Sequence, residues 1–180
     1  LLARMYEPQS GRILIDGTDI RDIPRAELRR HMAFVLQDVF LFTGDLAYNV
    51  SLGRPEVTAA EIESAARTVH LEEFVRRLPL GYAQPVHERG QNFSVGERQL
   101  LSFARALAQK PEILLLDEAT SSVDTETEAL IQDALHTLLS GKTSIVVAHR
   151  LSTIQDVDRI YVLHHGELRE SGRHEDLLAQ

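Results

Sequence analysis

The sequence predicts an α/β fold, a parallel sheet core with an inserted α-helical segment, on two observations. Short apolar runs at Ile113–Leu116 and Thr143–Ala148 alternate with amphipathic helical stretches, the pattern of strands buried in a parallel sheet. Between about residues 45 and 108 strand signal almost vanishes, so this stretch reads as a helical lobe set into the sheet. The expected division is a core lobe of residues 1–44 and 109–180 and a helical lobe of residues 45–108.

Each element has its own local signal. Leu1–Tyr6 reads as the tail of a helix stopped by Pro8, and Gly11–Gly17 as a short strand around Ile13 and Ile15. Pro24–Arg30 suits one or two helical turns, and Ala33–Leu36 is a short apolar strand ending at Gln37. Thr58-Ala-Ala-Glu61 is a capping box, followed on one face by Ile62, Ala65, Ala66 and Val69, with Leu71, Phe74, Val75 and Leu78 continuing at similar spacing. Ser94–Glu97 is a second capping box, heading a helix with Leu100, Phe103, Ala104 and Leu107 on its apolar face. Thr125–Glu128 reads as a third, for a helix that buries Ile131, Ala134, Leu135 and Leu138 and stops near Gly141. Arg159–Leu163 and Glu167–Ser171 predict a hairpin across Gly166, with a short helix after it.

Composition narrows the function. With 19 basic and 27 acidic residues the net charge is −8, which argues against nucleic acid as the main partner, since phosphate backbones demand clustered Lys and Arg. The chain has no cysteine, which excludes disulfides, zinc–thiolate sites and cysteine nucleophiles. No apolar run approaches the roughly 18 residues of a membrane span, and Leu1–Pro8 has neither the basic region nor the apolar core of a signal peptide. Without a methionine at position 1, the simplest expectation is a truncated chain.

The most informative hexapeptide is Ile113-Leu-Leu-Leu-Asp-Glu118. Four apolar residues make a buried strand, and two carboxylates follow where it emerges, at the end of an open sheet where ligands bind. Asp117 suits Mg²⁺, which prefers hard oxygen ligands, and Glu118 could polarise a water for attack on a phosphate. A solvated acidic turn is the plain alternative. His149, directly beyond the apolar run ending at Ala148, adds an imidazole at a second strand end and favours the functional reading.

With these residues in place, the chain resembles the ATP-binding cassette family along its whole length. Asn92-Phe-Ser-Val-Gly-Glu-Arg-Gln99 resembles the family's signature motif, and Leu100–Ala108 its signature helix. Leu114–Glu118 is similar to the Walker B strand, Ser121–Asp124 to the D-loop, Ala148–Leu151 to the switch-histidine loop and Gln37-Asp38 to the Q-loop. The resemblance implies a P-loop NTPase-like (RecA-like) core, ATP and Mg²⁺ as ligands, and hydrolysis in a head-to-tail dimer with a second cassette, identical or not. It implies that Glu118 is the base and His149 a γ-phosphate contact, that Gln37 and Asp117 serve Mg²⁺, with Gln37 also sensing the γ-phosphate of bound ATP, and that Asp124 reaches across the dimer. Ser94, Val95, Gly96 and Glu97 would meet the nucleotide of the partner cassette, at a helix N-terminus able to receive an anion.

Two segments resemble exporters in particular. Gln37–Phe42, continuing to Asn49, is similar to the segment exporters dock on the coupling helices of a transmembrane domain, which would place the domain at the cytoplasmic face of the membrane, with its transmembrane part in the same polypeptide. Phe40 and Phe42 could equally be core residues. Glu88-Arg-Gly90 resembles the exporters' X-loop, with an ordinary charged turn as its alternative. Other open readings are a soluble cassette ATPase working on DNA ends or ribosomes, and an inactive fragment.

The chain also departs from the family pattern. The Walker A loop, Gly-x-x-x-x-Gly-Lys-Ser/Thr, is absent, and so is the aromatic residue that stacks on adenine; Leu1–Tyr6 resembles the helix that follows that loop. Without its amides and lysine the 180-residue chain alone is expected to bind and turn over ATP negligibly. The signature has Val95 for Gly and Glu97 for Gln, which adds a Cβ and a negative charge near the phosphate approach.

Overall fold

The computed structural model describes residues 1–117, 125–148 and 151–179. Leu1–Tyr6 is not a helix end but a turn, closed by Arg4 N–H donating to Leu1 O at 2.8 Å. Tertiary bonds hold it there: the Arg4 guanidinium donates to the carbonyls of Ile20 and Ile23, and Arg29 donates to that of Ala3. Strands β1 (Leu14–Ile15) and β2 (Thr18–Asp19) pair antiparallel across Asp16-Gly17, whose φ values of 48° and 81° suit the tight two-residue turn. Helix α1 (Arg25–Arg30) leads into β3 (Met32–Val35).

The 44–108 stretch is mainly helical. After β4 (Gly44–Asp45) come α2 (Leu46–Ser51), α3 (Ala59–Thr68) and α4 (Glu72–Arg77), then β5 (Pro85–Val86), which pairs with β4, and α5 (Val95–Ala108). The apolar spacing that runs past Val69 is split between α3 and α4, because His70 takes φ 61° and Leu71 N–H turns back to Ala66 O. Both early capping boxes form as the spacing requires. In the first, Glu61 accepts from Thr58 N–H at 2.8 Å and also from Lys110 Nζ at 2.6 Å, just beyond α5.

That pairing has a pH consequence. The Lys110 bond, and after it the Thr58 bonds, hold the Glu61 carboxyl down at about 2, against an ordinary 4.5. A depressed carboxylate stabilises the fold above its unfolded value and loses that contribution as pH falls through the folded one. Melting temperature should therefore drop as pH falls from about 4.5 towards 2, and Glu61→Gln should flatten that part of the profile. A wild-type slope unchanged in Glu61→Gln would refute this.

Strand β6 (Ile113–Asp117) lies between β3 and β7 (Thr143–Val147), parallel to both. Helix α6 (Thr125–Leu139) precedes β7, and α7 (Leu151–Gln155), the antiparallel hairpin β8 (Ile160–His164) and β9 (Glu167–Gly172), and α8 (His174–Leu178) follow it. Helix α6 begins at Thr125 itself. The expected Thr125–Glu128 cap is corrected accordingly: Thr125 is a helical residue, not the residue before the helix.

Strand alternation sends Ala33, Val35, Leu114 and Leu116 to one sheet face, where they join Leu100, Leu101, Phe103 and Ala104 of α5 and Ile131, Ala134, Leu135 and Leu138 of α6 in the main core. The opposite face carries Phe34, Ile113 and Leu115 over a smaller cluster of Ile20, Leu28 and Met32. Ile145 and Val147 belong to this second face by register and are 45% and 55% exposed, so β7, read as a buried apolar strand, is covered on one side only.

Candidate functional site

Register assembles the first group of site residues. Val35 pairs with Leu116, and Asp117 with Val147, so three parallel strands end together. Gln37, exposed, lies two residues past the end of β3, and half-buried Asp117 is the last residue of β6. An amide oxygen and a carboxylate thus share one sheet end. These are hard oxygen donors and fit Mg²⁺, which takes one or two protein ligands and keeps its waters. Glu118, Asp124 and His149 lie outside the described residues.

The second group is the N-terminus of α5. Ser94 Oγ accepts from Glu97 N–H at 3.2 Å, and the Glu97 carboxylate accepts from Ser94 N–H at 2.7 Å. Ser94 and Val95 are exposed, Glu97 is half-buried and Gly96 is buried. The cap orients the first turn and leaves the amide end of a 14-residue helix at the surface. It also accounts for Glu97 where the family pattern has Gln, since a carboxylate serves the box as well. The bonds of Ser94 and Glu97 close the cap on itself, with none to Gln37 or Asp117.

Behind Ser94, the Glu88–Gly90 turn is built rather than an incidental charged loop. Arg89 and Gly90 are both left-handed, at φ 55° and 69°, and Arg98 donates to the carbonyls of Gly90 and Phe93. Asn92 holds the same loop by accepting from His87 N–H and donating to Pro85 O. A Cβ on Gly90 would sit 2.6 Å from Leu41 Cδ1, and Leu41 is fully buried. Gly90→Ala should therefore cost about 1–3 kcal/mol from overpacking and backbone strain, read as a lower urea midpoint. A midpoint equal to wild type would show that Leu41 has room to move.

The Phe40–Asn49 segment answers an alternative left open by the sequence. Phe40 and Phe42 are 51% and 44% exposed, stacked edge to face at 5.0 Å, and are not core residues. Under them lies a residue the motifs did not single out. Arg105 of α5 donates through Nε to Asn49 O (2.8 Å), through NH1 to Phe40 O (2.9 Å) and through NH2 to Asn49 Oδ1 (3.2 Å). Burial pushes the guanidinium down to about 10, which leaves it charged at neutral pH. The available signal was its position in the apolar Leu100–Ala108 run, four residues after fully buried Leu101 and three before Ala108.

Comparison with known proteins bears out the family resemblance. The family described as ABC transporter matches residues 1–121. The chain is 52% identical over 180 residues to the fatty acid ABC transporter ATP-binding/permease protein of Mycobacterium tuberculosis, covering all of this chain and 28% of that protein. It is 48% identical over 180 residues to the ATP-dependent lipid A-core flippase of Chromobacterium violaceum, covering 31% of it. It also matches the structure of a bacterial Atm1-family ABC exporter with ATP bound, with a TM-score of 0.89 and 46% identity over 99% of this chain and 31% of that one. The chain thus spans about 30% of the length of the proteins it resembles. No helix among the described residues is long and apolar enough to cross a membrane. The family model matches two thirds of this chain and the relatives match nearly all of it, and the chain belongs to the ABC transporter family.

Proposed function

We propose that this chain is part of the ATP-hydrolysing domain of an exporter, acting at the cytoplasmic face of a membrane in a head-to-tail dimer with a second cassette. The observation that carries the reading is the joint strand end with Gln37 and Asp117, together with a capped helix that presents Ser94 at the surface. The two groups serve as two half-sites: one holds this chain's nucleotide, the other closes on the partner's. Residues 45–108 act as the helical lobe, and residues 1–44 and 109–180 as the core lobe.

In this reading Asp117 and Gln37 hold Mg²⁺, which when bound neutralises phosphate charge. Glu118 takes the proton of the attacking water, and His149 donates to the γ-phosphate, each from the end of an apolar strand. Ser94 Oγ and the N–H groups of Val95 and Gly96 receive the γ-phosphate held by the partner cassette, and Asp124 contacts that cassette. The exposed Phe40 and Phe42 favour docking on a transmembrane domain over a soluble cassette ATPase, since such rings lose water when a partner helix covers them. The full-length protein, reconstituted in lipid, should hydrolyse ATP in Mg²⁺ and stop in EDTA, without stimulation by DNA or RNA. Nucleic-acid-stimulated turnover in the absence of lipid would favour the soluble reading instead.

A further inference from the structure

Arg105 is a half-buried cation held by neutral acceptors. Its three hydrogen bonds go to two backbone carbonyls and an amide oxygen, with the Phe42 ring 5.9 Å from the guanidinium carbon. Burying a charge without an anion is costly, so simple packing would favour Met or Leu at this position. What the guanidinium offers is a rigid fork of donors able to span several acceptors at once. The acceptors here belong to Phe40, in the loop before β4, and Asn49, in helix α2, the two ends of one segment.

Asn49, fully buried, completes the arrangement. Its Oδ1 accepts from Phe42 N–H at 2.8 Å as well as from Arg105, and its Nδ2 donates to Phe42 O at 2.8 Å and Asp45 O at 3.0 Å. Leu41 is pinned from the other side by Gly90. The backbone of the segment is thereby bolted to α5 while its two aromatic rings stay exposed. Arg105 lies ten residues into the helix from Val95, about 15 Å along the axis from the amide end that carries Ser94.

We propose that Arg105, acting through Asn49, is the positioning residue that hands displacement of the Phe40–Asn49 segment to α5 and so to Ser94; this rests on the docking role assigned to that segment above. A rigid helix gripped at one point and bearing a ligand group at its end is a contiguous path of the kind that carries coupling. Neither residue hydrogen-bonds to Gln37 or Asp117, so loss of the clamp misplaces Ser94 during turnover and leaves nucleotide binding at Gln37 and Asp117 intact.

The test uses the full-length transporter in lipid, with kcat, KM for ATP and melting temperature measured for three variants. Arg105→Lys keeps the charge but replaces the fork with a single ammonium. Asn49→Asp keeps the oxygen facing Arg105 and turns the donor towards Phe42 O and Asp45 O into an acceptor. Phe42→Ser removes a docking ring and spares the clamp. Each should lower kcat about tenfold with KM for ATP changed less than about twofold, and the double Arg105→Lys, Asn49→Asp variant should be no slower than either single. Wild-type kcat in both clamp variants, with Phe42→Ser slow, would leave the docking reading standing and overturn the clamp. Wild-type kcat in Phe42→Ser, with the clamp variants slow, would remove the docking reading and this proposal with it. A kcat loss that follows melting temperature and disappears on cooling would reduce Arg105 to a structural role and overturn the proposal.

Discussion

Glu118→Gln is expected to lower ATP turnover of the full-length transporter by at least about a hundredfold while leaving ATP binding in place, the usual worth of a positioned general base. The substitution keeps the size of the side chain and removes only its ability to take a proton. Glu118 follows Asp117, the last residue of β6, at the sheet end shared with β3 and β7. With hydrolysis blocked and ATP still bound, the closed cassette dimer should accumulate, visible as ATP-dependent locking of the transporter. Turnover near wild type would require another base. Glu97 is a poor substitute, because its carboxylate accepts from Ser94 N–H at 2.7 Å and closes the cap of α5.

The second large effect separates the two half-sites. Ser94 is exposed at the N-terminus of α5, and its Oγ accepts from Glu97 N–H. Ser94→Arg sets a bulky cation where the proposed closed dimer has space only for a phosphate. In a heterodimer carrying the change on this chain alone, hydrolysis at the site containing the partner's phosphate-binding loop should fail. The site containing Glu118 should still bind ATP, with turnover slowed only through coupling. Loss of the cap itself costs about 1 kcal/mol, whereas Gly at that position costs only a few tenths, so Ser94→Gly is the control for stability. Trapping a photoreactive ATP analogue on each chain reads the result. Labelling lost from this chain and spared on the partner would reverse the assignment.

What the sequence by itself determined is what four to eight consecutive residues can encode. The Thr58–Glu61 and Ser94–Glu97 boxes form because a cap needs only one residue and the N–H three positions on. The β6 strand and the Asp117 that ends it were legible because a run of four apolar residues followed by carboxylates has few other places to go in an α/β fold. Motif order along the chain carried the family and, with it, the roles proposed for Glu118, Asp124 and His149. The same local logic misread Thr125, where helix α6 starts one residue earlier than the expected cap allows.

Tertiary structure decided whatever depends on residues distant in sequence. Leu1–Tyr6 has the composition of a helix end, yet Arg4 finds the carbonyls of Ile20 and Ile23 and the chain turns to meet them. The exposure of Phe40 and Phe42 is a property of the surface around them, since an aromatic ring is buried only where some other element covers it. The Arg105 clamp reaches across 56 residues to Asn49. In sequence Arg105 is the one charge in the apolar Leu100–Ala108 run. It becomes a joint between two segments only when folding brings the Asn49 carbonyl within 2.8 Å, because a half-buried guanidinium must find acceptors and its own helix has already used the carbonyls beside it.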